Sequence, residues 1–317
     1  MTKIYILDRF HPAALTLLEE QKTFTCTNVK TLQIDASMTD AEALIMRSTT
    51  KIDKEALELL PQLKYLVTAT SGFDHIDYNA CAEKNIFCDY CPEANAASAA
   101  ELTFAHLLHL SRHLQAANDA VRSFQWKQTT PVGNELSEKK ILIVGLGRIG
   151  KRVAKIAAAF NMQVHFYDPY VISQADYKKE SDLHSAIKAA DIISLHTPKS
   201  KKTSPLLDAT FADAFNEGQI LLNVARGDAI SENLIQSCLE KNIKLGFDVY
   251  ANEPIKQEST LLTAQNISLS PHIGAYTEEA FEKASLQAAH KLIAFFSGNA
   301  EKASIPPNAA WVQDVES

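Results

Sequence analysis

The sequence predicts an α/β protein made of two doubly wound parallel-sheet domains, the first of them discontinuous. Three observations point there: two separate series of apolar strands alternating with helical stretches, an alanine-rich stretch between them, and a glycine-rich turn early in the second series. Continuous apolar strands that alternate with helices are the pattern of a parallel sheet covered on both faces.

The first series places strands at 4–7, 43–46 and 65–69, with helices at 12–20 and 54–60. Asp53 precedes the second of these helices, where its carboxylate can accept the unpaired amides of the first turn. Residues 93–121 are rich in alanine and predict one connecting helix. The second series begins at Lys140, with strands at 141–144, 163–167, 192–195, 220–224, 244–249 and 267–269. Six strands with crossovers complete a sheet. The last helix, 278–296, is therefore expected to return to the first domain, and Ser304-Ile305-Pro306-Pro307 reads as a loop. The expected boundaries are 1–97 with 280–317 for one domain and 98–279 for the other.

A composition of 46% hydrophobic and 22% charged residues is that of an ordinary globular protein. The net charge of −7 argues against a broad nucleic-acid surface, which needs Lys and Arg to displace counterions from phosphate. The N-terminal strand is interrupted by charge too early for a signal peptide, and no apolar run approaches the roughly 20 residues of a membrane helix. A cytoplasmic protein with no membrane partner is expected. Five scattered cysteines suit reduced thiols. Cys88 and Cys91 have the spacing of half a metal or redox motif, but no second pair follows, so no metal is expected.

Gly145-Leu146-Gly147-Arg148-Ile149-Gly150 lies between the apolar strand at 141–144 and the helical stretch 151–160. In that setting the first glycine permits a tight turn, the second lets a pyrophosphate approach the backbone, and the third allows close packing of helix on strand. The helix N-terminus offers free amides to the phosphates. The next strand ends in Asp168, 18 residues past Gly150. A carboxylate there accepts hydrogen bonds from a ribose diol and repels a 2′-phosphate, so NAD is expected rather than NADP. His196, with Thr197 and Pro198, stands at another strand end and is expected to shape the adenine side of the cofactor cleft.

Three more strand ends carry polar groups: Arg226 just beyond Val224 at the end of one strand, Asp248 with the nearby Glu253 at the end of the next, and His272 after the last. In an open α/β sheet, ligands bind outside the carboxyl ends of the strands, so these segments should face one cleft. Oxidation of a hydroxy acid needs a base for the hydroxyl proton, a cation for the oxygen and carboxylate, and an oriented hydride acceptor. His272 can be the base. A neighbouring carboxylate, Glu253, would fix its tautomer and raise its pKa, and Arg226 has the charged fork that grips a carboxylate. His106, His109 and His113 share one helical face without an acidic companion, and a packing or interface role is expected for them.

Taken together with Ser71-Gly72-Phe73-Asp74-His75-Ile76-Asp77 and Ser98-Ala99-Ala100-Glu101-Leu102, these motifs stand in the order found in the D-2-hydroxyacid dehydrogenases, which the sequence resembles over nearly its whole length. The resemblance implies two Rossmann-like domains and a homodimer built through the cofactor domains. It also implies that Arg226 binds a small 2-hydroxy or 2-oxo acid, that Glu253 and His272 form the acid–base pair, and that Asp248 contacts the nicotinamide amide. Backbone amides at Ser71 and Gly72 are expected to receive the substrate carboxylate. Within the family, residues 46–51 look most like the D-3-phosphoglycerate dehydrogenases, in which an arginine at the position of Arg47 helps to hold phosphate. Thr68 stands where many of those enzymes carry an arginine, and residues 68–75 are closer to the erythronate-4-phosphate dehydrogenases. A glyoxylate or hydroxypyruvate reductase is the alternative. NAD-sensing corepressors of the same fold, which bind short peptides, are the reading from a different class.

Overall fold

The computed structural model describes residues 1–29, 32–174, 176–200, 203–300 and Ile305. The chain divides into two compact units, one comprising Met1–Ala96 with the segment that begins at Ala275, the other Ala97–Gly274.

In the first unit, β1 (Thr2–Leu7), β2 (Phe24–Val29), β3 (Ala43–Met46), β4 (Tyr65–Thr68) and β5 (Phe87–Tyr90) form a parallel sheet in the order β2-β1-β3-β4-β5. Helices α1 (Pro12–Glu19), α2 (Lys54–Glu58) and α3 (Tyr78–Glu83) make the crossovers. As expected, Asp53 caps α2, accepting the Ala56 amide at 3.0 Å. β3 and β4 are buried along their whole length, which is why they read as unbroken apolar runs. β2 and β5 were not anticipated. β2 is a polar edge strand in which only Phe24 is buried, and β5 carries a buried Asp89 held by Lys291 at 2.5 Å and by the Tyr65 hydroxyl at 3.3 Å.

The second unit opens with α4 (Ala96–Arg112) and α5 (Leu114–Arg122). The single helix expected over 93–121 is thus two. His113 sits in the left-handed region at φ 49°, and the Ser111 carbonyl is taken by the Asn134 amide at 2.8 Å, so the helical ladder stops there. The remaining elements are β6 (Lys140–Val144), α6 (Arg148–Ala159), β7 (Gln163–Tyr167), β8 (Lys178–Lys179), α7 (Leu183–Ala189), β9 (Ile192–Leu195), β10 (Ile220–Asn223), α8 (Glu232–Glu240), β11 (Lys244–Phe247) and β12 (Ile267–Leu269). Their order, β12-β11-β10-β9-β6-β7-β8, extends the expected sheet by the short edge strand β8, and every pairing is parallel. The order reverses between β6 and β9, which is where an open sheet of this kind binds its ligand.

The last helix, α9 (Glu278–Phe296), packs on α1 and β4 in the first unit, so the first domain is discontinuous. Its buried face is Ala284, Ala288, Ala289 and Leu292, small enough to let the helix lie close to the sheet. Leu292→Ala would leave a hole in that core, at a cost of about 2–5 kcal/mol. The loop expected at Ser304-Ile305-Pro306-Pro307 lies outside the described residues apart from Ile305, which is buried.

Candidate functional site

The glycine turn follows β6 as expected. Gly145 takes φ 93°, and a side chain there would drive its Cβ to 2.6 Å from the His196 carbonyl oxygen at the end of β9. At Gly150 a Cβ would sit 2.1 Å from the Gly145 carbonyl oxygen, so only glycine lets α6 approach its own turn. Gly147, the N-cap of α6, has open space where a Cβ would lie and supplies no side-chain cap. The first turn, beginning with Arg148 and Ile149, therefore presents its amides to an anion rather than to a capping side chain.

Asp168 follows β7, but its carboxylate is already engaged. Oδ2 accepts the Leu146 amide of the glycine turn at 2.8 Å, while Oδ1 accepts Tyr170 at 2.8 Å and Val171 at 3.1 Å. It braces the turn whether or not a ribose is also bound. At the end of β9, the Thr197 hydroxyl and Nδ1 of His196 are buried without a partner, although Nε2 of His196 meets the Ser194 hydroxyl at 2.8 Å. Burial holds the His196 pKa down to about 3, so the ring is neutral. Unpartnered polar atoms beside an uncapped helix start are what a bound dinucleotide would complete, and Pro198 lies exposed next to them. These residues fit NAD.

The residues expected to carry the acid–base chemistry are set by three loops. After β10, Asn223 bonds the Arg226 carbonyl at 2.8 Å and the Ala225 amide at 3.1 Å, shaping the turn just past Val224. Arg226 Nη1 donates to the Ala225 carbonyl at 2.8 Å. After β11, Asp248 is buried. Its Oδ1 accepts the Ser270 hydroxyl at 2.5 Å and the Ile273 amide at 2.8 Å; Oδ2 accepts the Gly274 amide at 2.8 Å. Its carbonyl receives the His272 amide at 2.8 Å, so one residue gathers the whole histidine loop.

Glu253 is oriented by the Tyr250 amide, which donates to Oε1 at 3.0 Å, and its Oε2 lies 2.6 Å from Nδ1 of His272. The bond to Glu253 raises the His272 pKa against the opposing effect of burial, with the charges of Glu253 and Asp248 adding to the rise and Arg226 reducing it. For Glu253, burial works upward, but the bonds from His272 and Tyr250 outweigh it and hold the carboxyl below its ordinary range. Arg226, Glu253, Asp248 and His272 thus form one cluster. A cavity of about 400 Å³ opens beside it, lined by Asn223, Tyr250 and Leu261 among others, and includes neither His272 nor the glycine turn.

The remaining predicted residues lie in the first unit. Arg47 follows β3; its Nη1 is buried without a hydrogen-bond partner and its guanidinium lies 5.4 Å from the centre of the Phe281 ring. The sequence reading passed over Arg9. It follows β1, lies 5.5 Å from the same ring and donates from Nη1 to the Tyr276 hydroxyl at 3.1 Å. The strand-end rule that singled out Arg47 applies equally to Arg9. Lys51, by contrast, is exposed and paired with Asp53 at 3.2 Å.

Thr68 is fully buried, its hydroxyl 2.7 Å from that of Thr70 and 3.0 Å from Nε2 of His75. Thr70 in turn donates to the Gly72 carbonyl at 2.7 Å, so the threonines shape the loop that carries Ser71 and Gly72. Of the three helix histidines, His106 is buried in α4. Cys88 and Cys91 are buried free thiols.

The family model described as the NAD binding domain of D-isomer specific 2-hydroxyacid dehydrogenase matches residues 104–274. D-3-phosphoglycerate dehydrogenase of Methanocaldococcus jannaschii is 33% identical over 299 residues, 92% of this chain and 57% of that protein. The chain thus spans little more than half the length of the curated relatives it matches. The crystal structure of the TT0316 protein of Thermus thermophilus superposes with a TM-score of 0.86 at 28% identity, covering 98% of this chain and 100% of that one. D-lactate dehydrogenase of Aquifex aeolicus, solved with NAD and lactic acid, gives 0.82 at 26% identity over 93% and 96% of the two chains.

Proposed function

The chain belongs to the D-isomer specific 2-hydroxyacid dehydrogenases, and from that premise we propose that it catalyses NAD-linked interconversion of a small D-2-hydroxy acid and its 2-oxo acid. The observation that carries the reading is the Glu253–His272 pair at 2.6 Å, clustered with Arg226 in the domain that carries the glycine turn. Bound NAD supplies the hydride acceptor. With Nδ1–H committed to Glu253, His272 takes the hydroxyl proton on Nε2 in the oxidative direction and returns it in the reductive one. Arg226 holds the substrate carboxylate or polarises the forming carbonyl, and the amides at Ser71 and Gly72 receive the carboxylate. Asp248 keeps the histidine loop in place and, by the family pattern, contacts the nicotinamide amide.

For the substrate we propose a phosphorylated three- or four-carbon acid of the 3-phosphoglycerate kind. Arg47 supports this because a buried guanidinium nitrogen without a partner is suited to an anion, and Arg9 adds a second charge beside the same Phe281 ring. Thr68 favours the second reading, an unphosphorylated substrate such as glyoxylate or hydroxypyruvate, because it places no charge in the substrate loop. A panel of 2-oxo acids with and without phosphate, followed by NADH absorbance, separates the two. Peptide binding without turnover would point instead to the corepressor class.

A homodimer through the cofactor domains belongs to the same proposal. Leu114, Val121, Phe124 and Trp126 support it, since they expose apolar surface along one stretch of that domain. No helix of the described residues is long and apolar enough to cross a membrane. A cytoplasmic setting is part of the proposal, supported by the free thiols of Cys26, Cys81, Cys88, Cys91 and Cys238.

A further inference from the structure

We infer that His106 is a positioning residue for the acid–base centre: from α4 it holds, through Ser270, the Asp248 carboxylate on which the His272 loop is folded. The inference rests on the reading of His272 as the proton-transferring residue. His106 is buried, with Nδ1 2.8 Å from the Ser268 hydroxyl and Nε2 2.9 Å from the Ser270 hydroxyl. Ser270 continues to Asp248 Oδ1 at 2.5 Å.

Counting protons fixes the direction of this chain. An ionised carboxylate only accepts, so Ser270 commits its one hydroxyl proton to Asp248 and must itself accept from His106. His106 is therefore protonated on Nε2, and its bare Nδ1 accepts the Ser268 hydroxyl. Both ring nitrogens are satisfied in the neutral state, and burial lowers the pKa of the ring in keeping with that.

The far end of the chain is the catalytic loop. Asp248 accepts Ser270, Ile273 and Gly274, and its backbone carbonyl accepts His272, so these bonds bracket residue 272 on both sides. His272 has φ 54°, a conformation that costs energy for any residue but glycine and persists only where the surroundings impose it. Bonds in such a chain polarise one another, so His106 strengthens the Ser270–Asp248 bond as well as fixing the serine rotamer. His106 and Ser268 touch no reacting atom; their effect reaches the chemistry through the placement of Nδ1 of His272 against Glu253.

The test compares His106→Leu, which removes both bonds, with His106→Gln, which keeps a donor near Ser270, and with Ser268→Ala, which removes only the outer bond. NMR titration of the His272 imidazole reads the coupling without turnover, and the alkaline fall of the reductive rate reads it in catalysis. His272 is faced by Glu253, Asp248 and Arg226, which none of these variants alters. In His106→Leu the His272 pKa falls, and kcat drops about ten- to a hundredfold, the scale of a small misplacement of a catalytic group. His106→Gln recovers most of both, and Ser268→Ala lies between. An unmoved His272 pKa in His106→Leu, or in Ser268→Ala if the leucine variant does not fold, overturns the inference, as does a glutamine variant no better than leucine. Absence of turnover in the unaltered enzyme counts against the dehydrogenase reading alone, because the NMR titration still decides this one.

Discussion

Oε2 of Glu253 lies 2.6 Å from Nδ1 of His272, although β11, β12 and their loops bring the two together from 19 residues apart in sequence. In the proposed mechanism the bond assigns one ring nitrogen to orientation and leaves Nε2 to carry the mobile proton. It also sets the sign of the pH dependence.

On the proposed mechanism, reduction of a 2-oxo acid needs protonated His272, and Glu253 raises its pKa. The reductive rate is therefore expected to persist above the ordinary histidine range and to fall as pH rises through the elevated pKa. Glu253→Gln should move that fall to lower pH. Any stability His272 gains from the pairing follows the same sign: it is present at low pH and is lost as pH rises through the folded-state pKa. A rate profile identical in the variant and the unaltered enzyme would mean that the two residues are not coupled in catalysis.

His272→Ala is expected to lower turnover by about 10² to 10⁴ while leaving NADH binding nearly intact, since general acid–base help is of that size. Fluorescence titration of NADH beside steady-state kinetics checks both halves.

The strand ends to which this chemistry is assigned were legible where they follow apolar runs, as at β6 and β10. β5 was not, since Asp89 interrupts its pattern and the cation paired with it, Lys291, comes from 202 residues away. The break at His113 likewise depends on Asn134 reaching Ser111. At the site, Glu253 and His272 could be singled out from residue types and their pairing is found, but the engagement of Asp168 and Asp248 by backbone amides could not be read. Which atoms a carboxylate accepts from depends on loop geometry that leaves no periodic trace. Arg9 ends a strand as Arg47 does, but the contact of both guanidinium groups with the Phe281 ring, which sets the two side by side, leaves no mark in the sequence.

Asp168→Ala should narrow the preference for NADH over NADPH by removing the charge that would repel a 2′-phosphate. Because Oδ2 also holds the Leu146 amide, the variant should bind both cofactors more weakly as well. Isothermal titration with each cofactor tests this. Equal affinities in the unaltered protein would contradict the assignment.

Arg47→Ala should raise KM for phosphohydroxypyruvate about ten- to a hundredfold, the loss expected for a charge-assisted bond of about 1.5–3 kcal/mol, and barely change KM for hydroxypyruvate. Arg9→Ala should act in the same direction. Equal losses on both substrates would make the pair structural, stacked on Phe281 to hold α9 in place.

The most direct test of the central claim is the rate of NADH oxidation with phosphohydroxypyruvate and hydroxypyruvate, measured for the unaltered protein and for His272→Ala. The account predicts turnover of at least one of these 2-oxo acids, lost by about two orders of magnitude or more in the variant. Turnover that survives the loss of His272 undiminished would contradict it, as would a protein that binds NADH and reduces no 2-oxo acid.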